Sequence, residues 1–414
     1  MELIKIVTAG SVDDGKSTLI GRLLYETNSL KEDQLAHIEN KSKSNGYDYL
    51  DFSLATDGLL TEREQGITID VSNIFFSTDR RRFIIADSPG HIEYTRNMIT
   101  GASTAAAAIV LLDARKGVIE QTKRHFYITQ LLGIKQVIFA VNKMDLVDYD
   151  QAKFKTIVTD LKALIDTQAT DNFHHYFIPL SALTGTNVIE TSKEVSWYMG
   201  PTLLSLLESI PIEEAFNKEE KSFQVQYVIR PKTEEHHDYR GFAGKVKSGC
   251  FMVGDPIKVH PSNRVSTIKQ LEKFGETVDR LEENENGTIL LEDEIDVSRG
   301  SSILSKTFEI DNSKQLKATV CWMQDKPLNT TGIYWLQQGV QKVKAKIKEV
   351  HNAIELETLA IEDQHQLGLN DIGEVSLQLA TTIAVKPYQI NKALGSFILI
   401  DIQTNNTAGV GFIL

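Results

Sequence analysis

Residues 10–17 read G-S-V-D-D-G-K-S, and this stretch decides the fold of the first half of the chain. It follows an apolar run at residues 3–7 and precedes a helix-like segment at residues 18–24. The pattern G-x-x-x-x-G-K-[ST] between a strand and a helix is that of a phosphate-binding loop. Its glycines let backbone N–H groups approach phosphates, and the helix N-terminus adds partial positive charge. The sequence therefore predicts a nucleotide-binding α/β domain.

Further apolar runs extend this pattern as far as residue 207. They lie at residues 83–86, 108–112, 137–141 and 176–180. Near-continuous apolar runs of this length are typical of parallel strands buried on both faces. Open α/β sheets bind ligands at the C-terminal ends of their strands, so the residues that follow the runs are candidates for a site. Those residues are Gly10, Asp87, Asp113, Asn142 and Ser181.

The texture of the sequence changes after Pro211. A charged segment at residues 213–221 is followed by short alternating stretches with Gly- and Asp-containing turns, such as residues 253–256. This pattern predicts all-β structure. Residues 341–347 alternate strictly, which places three lysines on one face of a strand and three apolar residues on the other. The predicted domains are 1–211, 222–306 and 310–414.

Composition excludes several classes of protein. The chain has 414 residues, with 44 Lys and Arg against 56 Asp and Glu, for a net charge of −12. A strongly acidic chain does not favour nucleic acid as a partner through bulk charge. Its cysteines, Cys250 and Cys321, are too few for a disulfide framework and favour a reducing compartment. No stretch reads as a signal peptide or a bilayer span, so we expect a cytoplasmic protein with no membrane partner.

The phosphate-binding loop supplies the first candidate site residues. Lys16 is expected to reach the β and γ phosphates and to assist catalysis, and the Ser17 hydroxyl is expected to bind Mg²⁺. The predicted nucleotide-binding residues of this segment are Gly10, Ser11, Val12, Asp13, Asp14, Gly15, Lys16, Ser17 and Thr18.

A second group of residues selects the base. Asp145 accepts hydrogen bonds when ionised and can bind both N1–H and N2–H of guanine, whereas adenine presents an acceptor at N1 and no 2-amino group. Asn142 and the backbone at Ser181 and Ala182 are expected to complete the pocket around O6. The spacing of N-K-x-D and S-A-L after the loop predicts GTP as the nucleotide. The predicted base-binding residues are Asn142, Lys143, Met144, Asp145, Ser181, Ala182 and Leu183.

Residues 87–91 read D-S-P-G-H and supply the hydrolytic candidates. Asp87 is expected to hold Mg²⁺ through water, the N–H of Gly90 to meet the γ-phosphate, and His91 to orient the attacking water. Thr68 is a candidate second hydroxyl ligand of Mg²⁺, in a loop that the γ-phosphate orders. The predicted nucleotide-binding residues here are Asp87, Ser88, Pro89, Gly90 and His91.

Nine segments carry a resemblance to one family. They are G-S-V-D-D-G-K-S-T-L-I-G-R-L-L at 10–24, D-G-L-L-T-E-R-E-Q-G-I-T-I-D at 57–70, D-S-P-G-H at 87–91, Y-T-R-N-M-I-T-G-A-S at 94–103, D-A-R-K-G-V at 113–118, N-K-M-D-L-V-D at 142–148, R-G-F-A-G-K-V at 240–246, L-E-D-E-I-D-V-S-R-G at 291–300 and G-S-F-I-L-I-D at 395–401. Together they resemble the GTP-binding large subunits of bacterial sulfate adenylyltransferase, within the translation-factor class of GTPases. One departure is Ser88, where Thr is usual.

The resemblance implies an α/β P-loop GTPase domain followed by two all-β barrel domains. It also implies a heterodimer or higher assembly with a smaller catalytic subunit, which makes adenosine 5′-phosphosulfate and pyrophosphate from ATP and sulfate while this chain hydrolyses GTP. Some relatives carry a fused adenylylsulfate kinase, and because the chain has no second phosphate-binding loop we expect that activity to be absent.

Two alternatives remain open at this point. A translation elongation factor shares the GTPase motifs, although it typically has His at the positions of Ser11 and Asp14. A GTPase that acts only as a binding switch is the third interpretation.

Overall fold

The computed structural model describes residues 2–44, 46, 49–55, 72–88, 95–168, 172–211, 220–231, 239–355 and 358–414. These residues divide into two compact units. One holds the described residues up to 211 together with those in 355–360, and the other holds the described residues in 220–354 and 361–414. No helix in the described part of the chain has the length and apolar character needed to cross a membrane.

The first unit is built on a six-stranded sheet. Its strands are β1 (Leu3–Ala9), β2 (Ser72–Ser77), β3 (Arg82–Asp87), β4 (Ala107–Asp113), β5 (Gln136–Asn142) and β6 (His174–Pro179). They lie in the order β2-β3-β1-β4-β5-β6, and all pairs are parallel except β2 with β3. Every residue of β4 and of β5 is buried, as expected for central strands covered on both faces.

Helices connect these strands. They are α1 (Lys16–Glu26), α2 (Glu32–Ser44), α3 (Thr95–Ala102), α4 (Glu120–Leu131), α5 (Gln151–Asp166) and α6 (Leu203–Ser209), with 3₁₀ turns at Phe52–Ala55, Met144–Val147 and Lys193–Val195. Helix α1 buries Leu19, Ile20, Leu23 and Leu24 on one stripe, a spacing that suits a helix packed on a sheet. It begins directly after the phosphate-binding loop, so the helix N-terminus faces the end of β1.

The turn between β2 and β3 contains an arginine whose role the sequence did not show. The run at residues 79–82 predicts a charged hairpin turn, and the turn is present. Arg81, however, is buried, and its guanidinium donates to the backbone oxygens of Leu207 and Ile210 at 3.2 and 2.6 Å and to the Glu2 carboxylate at 2.9 Å. Arg81 therefore lies in the predicted turn and also ties the end of α6 to the edge of the sheet.

The second unit begins with a closed barrel. Its strands are β7 (Ser222–Ile229), β8 (Gly241–Ser248), β9 (Phe251–Met252), β10 (Pro256–His260), β11 (Arg264–Lys273), β12 (Glu276–Val278), β13 (Arg280–Leu281), β14 (Asn286–Leu291) and β15 (Ser302–Ser305). Six of them follow the order β10-β15-β7-β8-β14-β11, and pairing of β10 with β11 closes the ring. Phe223, Phe242 and Phe251 lie in its core.

A second barrel follows in the same unit. Its strands are β16 (Asp311–Trp322), β17 (Tyr334–Gln338), β18 (Gln341–Glu355), β19 (Ala360–Glu362), β20 (Ile372–Val385), β21 (Ser396–Asp401) and β22 (Thr407–Ile413), with a short helix α7 (Lys392–Gly395). Pairing of β17 with β18 closes the ring. In β18, Val343, Ala345 and Ile347 are buried, as the alternation predicts. The predicted fold class, a P-loop α/β domain followed by two β-barrels, is confirmed.

Candidate nucleotide-binding site

The phosphate-binding loop lies between β1 and α1, at the C-terminal edge of the parallel strands. Gly15 has φ of +90°, in the left-handed region, and a Cβ built on it would lie 2.5 Å from Nδ2 of Asn142. Any side chain at residue 15 would therefore be strained and would displace Asn142. The left-handed backbone conformation and the closeness of Asn142 both require glycine at residue 15.

Lys16 is 7% exposed and folds back over the loop. Its Nζ donates to the carbonyl oxygens of Gly10 at 2.8 Å and Ser11 at 3.0 Å. Burial lowers the pKa of Lys16, while the negative charges of Asp87 and Asp14 oppose that shift. The two carbonyl oxygens thus hold the ammonium group within the loop.

Asp14 shapes the loop. Its Oδ2 accepts from the backbone N–H of Ser11 at 2.7 Å, and the side chain is buried. Burial raises the pKa of Asp14, and the hydrogen bond from Ser11 and the charge of Lys16 oppose this effect. Of the other predicted loop residues, Asp13 is exposed at positive φ, Val12 and Ser17 are half-buried, and Thr18 lines the neighbouring cavity.

Asn142 connects three segments of the site. Its Nδ2 donates to the backbone oxygen of Asp14 at 2.8 Å, and its Oδ1 accepts from the backbone N–H of Ala182 at 2.9 Å. Both ends of the amide are therefore used to hold the phosphate-binding loop against the segment 181–183. The backbone of Ser181 and Ala182 is predicted to complete the pocket around O6 together with Asn142, and in the structure the N–H of Ala182 donates to Asn142.

Lys143 and Asp113 form a charged cluster next to Asn142. Lys143 has φ of +62°, and its Nζ lies 3.1 Å from Oδ2 of Asp113. Arg115 binds the same carboxylate, with Nη2 at 2.6 Å from Oδ2 and Nε at 3.0 Å from Oδ1. Burial alone would raise the pKa of Asp113, but the hydrogen bonds from Arg115 and Lys143 hold it well below its usual range. Asp113 thus holds the side chain of Lys143, the residue that follows Asn142.

A cavity of about 190 Å³ lies between these segments. Its lining residues are Gly15, Thr18, Asn142, Lys143, Asp145, Leu146, Ala182 and Leu183. Oδ1 of Asp145 is buried and has no hydrogen-bond partner among the described residues. A buried carboxylate oxygen without a partner is unfavourable unless a ligand supplies a donor. Met144, in contrast, is fully buried, and its backbone N–H donates to the carbonyl of Leu180 at 3.2 Å.

Two of the magnesium candidates, Ser17 and Asp87, lie among the described residues. Asp87 is buried, and its Oδ1 accepts from the Thr8 hydroxyl at 2.9 Å, while the Ser88 hydroxyl donates to the Thr8 carbonyl. Thr68, Pro89, Gly90 and His91 lie outside the described residues. Within the described ranges, no group of three or more His, Cys, Asp or Glu side chains is arranged to hold a metal.

Arg22 belongs to the site although no motif singles it out. Its Nε donates to the carbonyl oxygen of Ala182 at 3.1 Å, and its Nη2 donates to the carbonyl oxygen of Leu183. The first contact joins residues 160 positions apart, a separation at which sequence periodicity gives no information. Its only sequence signal is its position on the helix that follows the phosphate-binding loop.

The fold and these motifs define a P-loop GTPase of the translation-factor class. The family model for the elongation factor Tu GTP binding domain matches residues 1–212, and a GTP-eEF1A C-terminal domain-like model matches residues 315–414. GTP is accordingly the nucleotide of this domain. A solved structure of Sup35 with GMPPNP is similar over 100% of this chain and 94% of its own, with 20% identity and a TM-score of 0.45.

Comparison with curated relatives narrows the assignment from this class of GTPases to one family. Sulfate adenylyltransferase subunit 1 of Bacteroides fragilis is 44% identical over 100% of this chain and 86% of its own length, and that of Aliarcobacter butzleri is 45% identical over 100% and 87%. The bifunctional enzyme CysN/CysC of Mycobacterium tuberculosis is 44% identical over 100% of this chain and 67% of its own length. The chain belongs to the sulfate adenylyltransferase subunit 1 family, which confirms the resemblance stated above.

Proposed function

We propose that this chain is the GTP-hydrolysing, energy-coupling subunit of a sulfate adenylyltransferase. Its partner would convert ATP and sulfate to adenosine 5′-phosphosulfate and pyrophosphate, an unfavourable adenylyl transfer that GTP hydrolysis drives. The observation that carries the proposal is the Asn142 bridge, which holds a phosphate-binding loop against a guanine-type pocket in a chain of this family.

The phosphate half of the proposed mechanism rests on Lys16 and the loop backbone. Lys16 would exchange its bonds to the Gly10 and Ser11 carbonyls for the β and γ phosphates, while N–H groups at the start of α1 bind the same oxygens. The oxygen ligands of Ser17 and Asp87 suit Mg²⁺, which commonly binds one or two carboxylates together with substrate phosphates and water. Thr68 is the proposed third protein ligand, and bound Mg²⁺ would neutralise charge on the phosphates.

The hydrolytic step is assigned to His91. The side chain would hold the attacking water in line with the γ-phosphate, the task that a Gln performs in many GTPases. Because hydrolysis requires Thr68 and His91 to be aligned with Mg²⁺ and the attacking water, we expect slow hydrolysis by the chain alone.

The partner is proposed to be the small catalytic subunit, in a heterodimer or higher assembly. The relatives' designation as subunit 1 and the lack of an S-G-G-x-D-S pyrophosphatase-type loop in this sequence both support a separate subunit for the ATP undergoing transfer. A cytoplasmic location, without nucleic acid or membrane partners, completes the proposal.

Stepwise reconstitution tests the proposal. GTP hydrolysis by this chain would be followed as the small subunit, ATP and sulfate are added in turn, with a Lys16→Ala protein as control. We expect about a 10²–10⁴-fold acceleration, equal to about 3–5 kcal/mol of barrier. A rate that ignores all three additions contradicts the proposal.

An elongation factor is the second candidate, because both matching family models describe elongation-factor domains. It requires a different response: acceleration by ribosomes, binding of aminoacyl-tRNA to the GTP form, and no effect of the sulfate-activating subunit. The same assay with ribosomes therefore separates the two functions.

A further inference from the structure

Arg22 binds the backbone of the segment 181–183. Besides the bonds to the carbonyl oxygens of Ala182 and Leu183, its Nη1 lies 3.4 Å from Oε1 of Glu26, one turn further along α1. The side chain is 14% exposed, and burial lowers its pKa while Glu26 opposes the shift. A guanidinium remains charged in proteins, so both bonds to the segment are charge-assisted.

The peptide group between Ala182 and Leu183 connects the hydrogen bond from Arg22 to the cavity. The carbonyl of Ala182 and the N–H of Leu183 belong to one planar trans unit, in which the C=O and N–H bonds point in opposite directions. Because Arg22 holds the oxygen, the N–H of Leu183 is directed away from Arg22. Ala182 and Leu183 both line the cavity beside Asp145. The N–H of Ala182 donates to Asn142, whereas the N–H of Leu183 has no hydrogen-bond partner in the part of the chain that the structure describes and can donate to a ligand.

The guanidinium is itself held in place. Its central carbon lies 4.4 Å from the ring centroid of Phe52, which is 2% exposed. Phe52 approaches α1 so closely that a Cβ on Gly21 would lie 2.1 Å from the Phe52 carbonyl oxygen. On the other side, a Cβ on Gly185 would lie 2.7 Å from Oε1 of Glu26. The Phe52 ring and the Glu26 carboxylate thus both contact the guanidinium and limit its movement.

We propose that Arg22 is a positioning residue for guanine recognition, which directs the N–H of Leu183 at O6 of the base. The charge-assisted bond also polarises the shared peptide, making its N–H a stronger donor. This inference rests on the proposed function, because it assumes that the cavity binds guanine. It adds a residue on the phosphate-loop helix to the set that determines the choice of base.

A sulfur-for-oxygen exchange in the ligand tests this role. Calorimetry would give the affinities of the full-length chain and its Arg22→Met variant for GDP and for 6-thio-GDP. Sulfur is a weak acceptor, so the thio ligand gains little from a well-aimed N–H. We expect the substitution to weaken GDP about 10- to 100-fold, the scale of a charge-assisted hydrogen bond, and to weaken 6-thio-GDP less than about threefold.

A purely structural role would weaken both ligands equally, and that result overturns the proposal. Arg22→Lys keeps the charge with fewer donors and should show an intermediate penalty with the same oxygen dependence; it carries the test if Arg22→Met does not fold. The matched control is Arg80→Met, since Arg80 is 76% exposed and pairs with Glu208 at the surface; the affinities of this variant should be unchanged. If the parent chain failed to prefer GDP over ADP, the proposed function itself would be at fault.

Discussion

The base-binding and phosphate-binding halves of the site differ in what their polar groups contact. In the base half, Asn142 and Arg22 are bonded to the backbone on both sides of the cavity, and Oδ1 of Asp145 is left for a ligand. In the phosphate half, the ammonium of Lys16 is bonded to carbonyls of its own loop. Under the proposed function, the first half is preorganised, whereas in the second Lys16 would exchange protein contacts for phosphate contacts.

This difference matches two distinct tasks. A rigid pocket can reject the wrong base strongly, because an ill-matched ligand leaves buried polar groups without partners. A phosphate cradle that changes its contacts can report whether a γ-phosphate is present. We therefore expect substitutions in the base half to change the choice of nucleotide, and those in the phosphate half to change affinity and turnover.

The largest expected effect is the choice of base. GTP should bind more tightly than ATP by about 10³-fold or more, because adenine presents an acceptor to Asp145 and lacks the 2-amino donor. Asp145→Asn should weaken GTP and favour xanthosine triphosphate. Calorimetric titration of the parent and the variant with the three nucleotides measures this, and equal affinities of the parent for GTP and ATP would sink the guanine assignment.

Removal of the ammonium from the phosphate half should have the next largest effect. Lys16→Ala is expected to weaken GTP and GDP about 10²- to 10³-fold, because it deletes the charge at the β and γ phosphates. The preference for guanine over adenine should survive, since the base half is untouched. Lys155→Ala, at an exposed position of α5, is the matched control. A variant that bound as tightly as the parent would contradict the role of Lys16.

His91→Ala should separate turnover from binding. We expect nearly unchanged GTP affinity and a turnover about 10²-fold slower with the partner present, because only the orientation of water is lost. Single-turnover hydrolysis and a nucleotide titration on the same protein give the two quantities. Hydrolysis at the parental rate would require another residue to position the water.

The smallest expected effect is a pH dependence of stability, and it comes from His125 on α4, in the same unit as both halves of the site. Burial lowers the pKa of His125 from its usual 6.5 to about 3, so the folded protein keeps the imidazole neutral where the unfolded chain protonates it. The stabilising contribution is complete above pH 6.5 and is lost as the pH falls toward 3. Between pH 6.5 and 5 the loss is about 2 kcal/mol.

Urea unfolding of the parent and of His125→Gln at neutral and mildly acidic pH measures this loss. The variant should lose less stability than the parent on acidification, since Gln does not titrate. His37→Gln, at an exposed position of α2, should behave like the parent. Identical acid sensitivity of all three proteins would exclude His125 as the group responsible.

Local patterns in the sequence predicted much of this structure. Continuous apolar runs predict buried strands, as in β4 and β5. Alternation of polar and apolar residues predicts a strand with one exposed face, as in β18. The phosphate-binding loop and the Asn142 segment are short motifs whose geometry follows from their own backbone. These features require only neighbouring residues, so one sequence is enough to identify them.

Contacts between distant segments could not be predicted in this way. Arg22 meets Ala182 across 160 residues and Arg81 meets Ile210 across 129, and neither arginine lies in a pattern that specifies its partner. The pairings that close the two barrels, β10 with β11 and β17 with β18, likewise depend on the three-dimensional course of the strands. The bonds that preorganise the base half belong largely to this class.

The close approach of Gly15 to Asn142 limits how this site can evolve. A single methyl group at residue 15 would lie 2.5 Å from the amide nitrogen of Asn142 and would displace the side chain that holds Ala182. A side chain at residue 15, in the phosphate half, would therefore also disturb Asn142 in the base half. Residues 15 and 142 therefore constrain each other, because a side chain at residue 15 could be accommodated only together with a change at residue 142.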